Sequence, residues 1–179
     1  MNRGQRGILC AMLSNVFGAI WRRLPKGLRN RISQFGTGRF TVSVAAMMFD
    51  AEGRILLFEH VFRPSAWGVP GGFVAKGEQP DDALRREMRE EANLEIDNIK
   101  LLFVRTLANL KRVEVYYQAR PIGMPQPASF EIKSTAWFRL NELPPELSKD
   151  QRGLITRSVW LMKNGINGDM LHDDPRTDD

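Results

Sequence analysis

The acidic residues that could do chemistry in this chain stand close together. Between Gly71 and Leu94 the sequence reads GGFVAKGEQPDDALRREMREEANL, with Glu87, Glu90 and Glu91 at i, i+3 and i+4. On a helix these positions share one face, with neighbouring Cβ atoms about 5–6 Å apart, and like charges there repel by some tenths of a kcal/mol per pair. A divalent cation removes that penalty. No His or Cys lies nearby, so an all-oxygen donor set points to Mg²⁺, Mn²⁺ or Ca²⁺ rather than Zn²⁺. Mg²⁺ commonly takes one or two carboxylates, several waters and the phosphates of a substrate, so a phosphate-bearing ligand would complete the site.

The competing reading is a solvated helix face, with i,i+4 pairs to Arg86 or Arg89. Taken alone, the three acids favour it. Their company decides otherwise: Gly72, Glu78, Arg86, Glu87, Glu90 and Glu91 satisfy G-x₅-E-x₇-R-E-x-x-E-E. At ordinary residue usage such a pattern arises by chance in roughly one chain in 10⁵.

The elements that must hold these groups can be read outward from them. Pro80–Asn93 reads as a helix. Pro80 suits the first turn, Asp81 and Asp82 complement the positive end of the dipole, and Leu84, Met88 and Ala92 form a buried stripe, with Arg85 and Arg89 on a solvated one. Val61–Gly77, rich in Gly and Pro, reads as an ordered loop with short extended pieces. Before it, Phe40–Phe49 reads as a buried strand, Asp50–Gly53 as a turn and Arg54–Glu59 as the partner strand. After the helix, Ile99–Leu107 and Arg112–Arg120 read as strands, the second burying Val113, Val115, Tyr117 and Ala119 on one face. Thr135–Leu140 is a further strand. Lys149–Lys163 reads as a helix with Leu154, Ile155, Val159 and Met162 on one side. From Asn164 the chain is polar and acidic and is expected to fray. Strands, helix, strands, helix make an α+β chain, an α/β/α sandwich.

The segment Gly71–Leu94 closely resembles the Nudix box, G-x₅-E-x₇-R-E-U-x-E-E-x-G-U with U a bulky apolar residue. Met88 and Leu94 fill the U positions, Trp67-Gly68-Val69-Pro70-Gly71 is similar to the family's lead-in, and Trp137-Phe138 with Glu142-Leu143-Pro144 to its ending. One position departs: Asn93 replaces the last glycine. It ends the helix, where a residue with φ > 0 is expected and Asn is the next choice after Gly.

The resemblance implies a mixed sheet in an α/β/α sandwich and a metal-dependent hydrolase that cleaves a phosphoanhydride bond. Glu87, Glu90 and Glu91 would ligate Mg²⁺, or alternatively Mn²⁺, with the Gly71 backbone beside them. Glu78 would assist from the loop, tied bidentately to Arg86. Gly71 and Gly72 would let metal or phosphate approach the backbone. The general base is expected at Glu90 or Glu91, and Glu131, after Pro127, is a candidate further acid. Arg63 and Tyr116 are candidate substrate contacts, from a wider set that includes Arg105, Tyr117, Phe62 and Trp67. Family subgroups are often told apart by a Pro or Tyr some way beyond the box. The window Asn109–Arg112 holds neither, which leans away from ADP-ribose and dinucleoside polyphosphates. Nucleoside diphosphate sugars or alcohols and nucleoside triphosphates stay open. A catalytically silent nucleotide-binding module is the rival; it would usually have lost a metal carboxylate. An isoprenoid diphosphate isomerase would need a cysteine in the site, and the one cysteine is Cys10.

The 179 residues suit one domain with extra at the ends, and one cysteine excludes an internal disulfide, so a cytoplasmic setting is expected. The net charge of +5 is concentrated: residues 1–40 hold Arg3, Arg6, Arg22, Arg23, Lys26, Arg29, Arg31 and Arg39 and no acid. A nucleic-acid partner is therefore not expected of the whole fold. Residues 8–24 are striped at helical spacing (Ile8, Leu9, Met12, Leu13, Val16, Phe17, Ile20, Trp21 and Leu24) and form an amphipathic helix. It would dock on its own domain or on a second subunit in a homodimer, lie on a membrane surface through Arg22, Arg23 and Lys26, or serve as a targeting segment. The expected division is a basic extension at 1–38, the hydrolase domain at 39–164 and a polar, flexible tail at 165–179.

Overall fold

Strand β1 (Thr41–Met47) is apolar on both faces, and that fixes the layering. Val44 and Ala46 face one way and Ala45 and Met47 the other. The first pair packs with Leu84, Met88 and Ala92 of helix α1 (Pro80–Ala92). The second packs with Leu154, Ile155 and Leu161 of helix α2 (Lys149–Lys163). Sheet between two helices is the α/β/α sandwich expected. The computed structural model describes residues 23–28, 38–166 and 169–170. Its contacts divide the chain between Arg39 and Phe40, and the sandwich belongs to the second unit. The amphipathic helix expected over residues 8–24 lies, but for its last two positions, outside the described residues.

The strands are β2 (Ile55–His60), β3 (Trp67–Gly68), β4 (Gly71–Phe73), β5 (Glu95–Leu107), β6 (Arg112–Ile122), β7 (Ile132–Phe138) and β8 (Asp169–Met170). One sheet has the order β4-β1-β6-β5-β8, the other β3-β2-β7. β1 runs parallel to β6, and β5 to β8; the remaining pairs are antiparallel. The sheet is therefore mixed.

Several sequence expectations are set against the structure here. The turn at Asp50–Gly53 is present, with the Asp50 carboxylate accepting from the Glu52 and Arg54 amides and from Arg54 Nε. Its two arms do not form a hairpin beyond a bridge at Phe49 and Ile55. β2 instead pairs with β3 and β7, and it is covered on both faces: Leu56 and Phe58 enter one core, Ile55 and Leu57 the other. β6 is likewise covered on both faces, Ala119 on the α1 side and Tyr116 on the α2 side. The buried stripe of α2 is Leu154, Ile155, Ser158 and Leu161; Ser158 is tolerated there because its hydroxyl donates to the Leu154 carbonyl. Beyond α2, where fraying is expected, Asp169 and Met170 pair with Phe103 and Val104.

Helix α1 begins at Pro80 and ends at Asn93, whose φ of 48° is the left-handed cap expected. Two carbonyls of its last turn, otherwise unpaired at a helix end, accept from the loop between β6 and β7: Glu91 from Ala128 and Ala92 from Gln126. Those bonds bring Glu131 toward the acidic face of α1.

Candidate active site

Arg86 is the hub of the acidic helix face. Its Nε and Nη2 donate to the two oxygens of Glu78 at 2.9 and 3.0 Å, the bidentate tie expected from the sequence. Nη1 donates to Glu87 at 2.9 Å and to Glu90 at 3.1 Å, and Nη2 also reaches the Phe73 carbonyl at 3.0 Å. The loop is thereby clamped to the helix. Glu78 caps the loop itself by accepting from the Ala75 amide, and with Arg86 beside it its carboxyl is held below the usual range. The Arg86–Glu90 pair is the i,i+4 contact of the competing reading. It forms, but it is one arm of a network that also reaches the loop.

Glu91 differs from its neighbours. It is 7% exposed, and its Oε2 is buried without a hydrogen-bond partner. Burial pushes its carboxyl up to about 7, helped by Glu87 and Glu131, while Arg63 and the Gly71 amide pull it down. Glu90, by contrast, has an exposed side chain.

The glycines before the helix have separate reasons to be glycine. Gly71 has φ of 155°, and a Cβ there would run into the Val44 carbonyl of β1. At Gly72 a Cβ would occupy the place of the Glu87 carboxylate. The turn therefore makes room for a metal-ligand candidate, and brings backbone close to it.

Among the described residues no three Asp, Glu, His or Cys side chains form a ready-made metal cage. Arg86 engages Glu87 and Glu90 itself. The donor set still fits a magnesium-type ion, which needs few protein ligands. All donors are oxygen, Glu91 Oε2 has no partner, and Gly72 leaves a cradle at Glu87.

The other sequence candidates are scattered. Arg63 is exposed on the loop after β2, close enough to act electrostatically on Glu91 and His60. Glu131 is exposed just before β7; its charge is felt at Glu91. Tyr116, a candidate substrate contact, is 2% exposed, stacks on Phe103 and donates its hydroxyl to Glu114. Its ring forms wall rather than a free contact, being buried against Phe103 in the α2-side core. Arg105 is gripped by Glu114 and, bidentately, by Asp150. Trp67 packs edge-on against Phe138, and Tyr117 packs into the α1-side core. Phe62 is exposed against Phe130.

A cleft of about 320 Å³ opens beside Gly71 and Gly72; Arg63, Phe73, Arg112, Glu114 and Gln151 are among its lining residues. Phe73, Arg112, Glu114 and Gln151 were not legible as site residues. The alternation Arg112-Glu114-Tyr116 marks one face of β6, but only its parallel pairing with β1 sets that face beside the glycine turn. His60 is a further missed group: it is 4% exposed, its Nε2 has no partner, and burial with the nearby Arg63 lowers it to about 4.

Comparison with known proteins places this arrangement. A family model described as the NUDIX domain matches residues 39–158. An RNA pyrophosphohydrolase of Teredinibacter turnerae is 32% identical over 68 residues, 38% of this chain and 40% of that protein, so the match spans well under half of that relative. The crystal structure of a MutT NUDIX hydrolase from Burkholderia pseudomallei is 30% identical, with a TM-score of 0.59, over 67% of this chain and 98% of that one. The fold is shared over 95% of this chain and 86% of the other with a UDP-X diphosphatase, at a TM-score of 0.65 and 20% identity.

Proposed function

The chain belongs to the NUDIX domain family, and from that premise we propose that it hydrolyses a phosphoanhydride bond in a nucleotide-derived small molecule, with a divalent cation, Mg²⁺ first and Mn²⁺ second, held by Glu87, Glu90 and Glu91. The observation that carries this reading is Glu91: a buried carboxylate with one unpartnered oxygen and a carboxyl pushed up to about 7, on the same helix face as two more acids and beside a glycine turn.

When bound, the cation would neutralise diphosphate oxygens and make a water more acidic. The remaining work falls to the chain. The Gly71–Gly72 turn, bare of side chains, lets the diphosphate approach the backbone. Arg63, exposed on the loop after β2, offers positive charge to it. Glu91, whose Oε2 is buried and without a partner, takes a proton from the attacking water. The water oxygen bonds to phosphorus in line with the bridging oxygen, which leaves with the bonding pair on a phosphate. Arg86 holds Glu78, Glu87 and Glu90 in place while this happens.

The substrate class is a nucleoside diphosphate linked to a sugar or alcohol, or a nucleoside triphosphate. The curated relative's substrate, an RNA, belongs to that protein. A panel of such compounds incubated with Mg²⁺, with products separated by chromatography, tests the reading. Cleavage of at least one compound at the anhydride, abolished by a chelator, is expected. Intact compounds throughout, with Mg²⁺ or Mn²⁺, would leave a fold without this activity.

A further inference from the structure

Strand register assembles a second set of groups next to the diphosphate position. On the α2-facing side of the sheet, Phe73 of β4, Ser43 of β1, Glu114 of β6 and Arg105 of β5 fall in one cross-strand row. The next row is Gly71, Ala45, Tyr116 and Phe103. The β1 members of the two rows, Ser43 and Ala45, are small, so a trough remains between Phe73 and the wall made by Tyr116. This trough is the cleft beside the glycine turn. Arg112 shares the face of Glu114, two residues on, and lays its guanidinium over the Phe73 ring at 4.9 Å. Arg112 Nε is buried without a partner, and the nearest carboxylate oxygen, Glu114 Oε1, stands 3.8 Å from Arg112 Nη1. Glu114 is held still: its Oε2 accepts from Arg105 Nε at 2.7 Å and from the Tyr116 hydroxyl at 2.9 Å, and Asp150 grips Arg105 from α2. The trough thus offers a flat cationic plane on an aromatic ring and a fixed acceptor with one oxygen not hydrogen-bonded within the described residues.

Resting on the hydrolase reading above, we propose that this trough selects the substrate by its nucleoside: the base stacks on the Arg112–Phe73 pair, and Glu114 Oε1 accepts a hydrogen bond from a donor on the sugar or the base. Guanidinium planes and aromatic rings are both surfaces on which unpaired bases stack. A carboxylate accepts only, so the complementary edge is a ribose hydroxyl or an exocyclic amine.

Two probes separate this proposal from the one it rests on. Methylenediphosphonate carries the diphosphate shape with no nucleoside and no cleavable bond; nucleoside methylenediphosphonates add the nucleoside. Binding is measured by calorimetry in the presence of Mg²⁺. In the wild type the nucleoside is expected to add about tenfold or more in affinity. Phe73→Ala and Arg112→Lys, which keeps the charge and removes the plane, are expected to erase that gain and leave methylenediphosphonate binding unchanged. Circular dichroism melts check that each variant is folded. Analogues with 2′-deoxyribose, or with inosine for adenosine and uridine for cytidine, locate the donor; at least one must bind more weakly. If methylenediphosphonate binds and the nucleoside adds nothing, or both variants weaken both probes alike, the trough is not a nucleoside site. If no analogue is discriminated, Glu114 is not the acceptor. If neither probe binds, the hydrolase reading falls with it.

Discussion

A buried carboxylate oxygen without a partner is costly for a fold, and Glu91 is such a group. Its cost argues for a role outside stability. Glu91→Gln keeps the shape and removes the charge, so it is expected to lower kcat at least ~100-fold, as loss of a general base does, while raising the melting temperature of the metal-free protein. A variant that keeps activity within threefold, or that melts lower, contradicts this account. His60 gives a separate pH signature. Its neutral form is favoured in the fold, with its value lowered from 6.5 to about 4. Unfolded protein therefore binds the extra proton first. The stability His60 contributes is whole above about 6.5 and is lost as pH falls toward 4. Glu91 acts oppositely, since its folded value is raised from 4.5 to about 7 and its contribution is lost as pH rises through that window. The two offset in the wild type. His60→Met should remove one of them, so the difference in urea midpoint between wild type and variant should shift between pH 7 and pH 5. A difference constant with pH would show that His60 does not titrate as described.

Elements divide the work between adjacent glycines, and they should respond differently. A Cβ at Gly71 meets the backbone of β1, which cannot give way; one at Gly72 meets the end of the Glu87 side chain, which can. Gly71→Ala is expected to destabilise the domain by several kcal/mol, as overpacking against rigid structure does. Gly72→Ala is expected to melt near the wild type and to lose metal affinity, because Glu87 must move. Equal melting temperatures with equal activity would put both glycines outside the site. Much at this scale was legible in the sequence. Pro80, the Leu84–Met88–Ala92 stripe and Asn93 mark α1 at both ends, and Lys149–Lys163 is helical as read. These signals are local. The pairing of β1 with β6 joins residues about seventy positions apart, and β2 departs into a second sheet; neither leaves a local trace. That is why Glu78, Arg86 and the acids of α1 stood out, while Phe73, Arg112 and Glu114, assembled by register, did not.

For the molecule as a whole, the layered class was readable because strands and amphipathic helices alternate in order, and a sheet apolar on both faces must be covered twice. The positive charge of residues 1–40 was equally plain, although its structural expression lies largely outside the described residues. No helix among the described residues is long and apolar enough to cross a membrane. The acidic face of α1 and the glycine turn remain the centre, and cation binding there is the claim on which the rest depends. Manganese titration followed by electron paramagnetic resonance tests it, with a nucleoside methylenediphosphonate present to supply phosphate oxygens. The free-ion signal is expected to fall on adding wild-type protein, and to fall much less with Glu87→Gln or Glu91→Gln. A free-ion signal that the wild-type protein leaves unchanged, or that all three proteins reduce alike, would contradict the account.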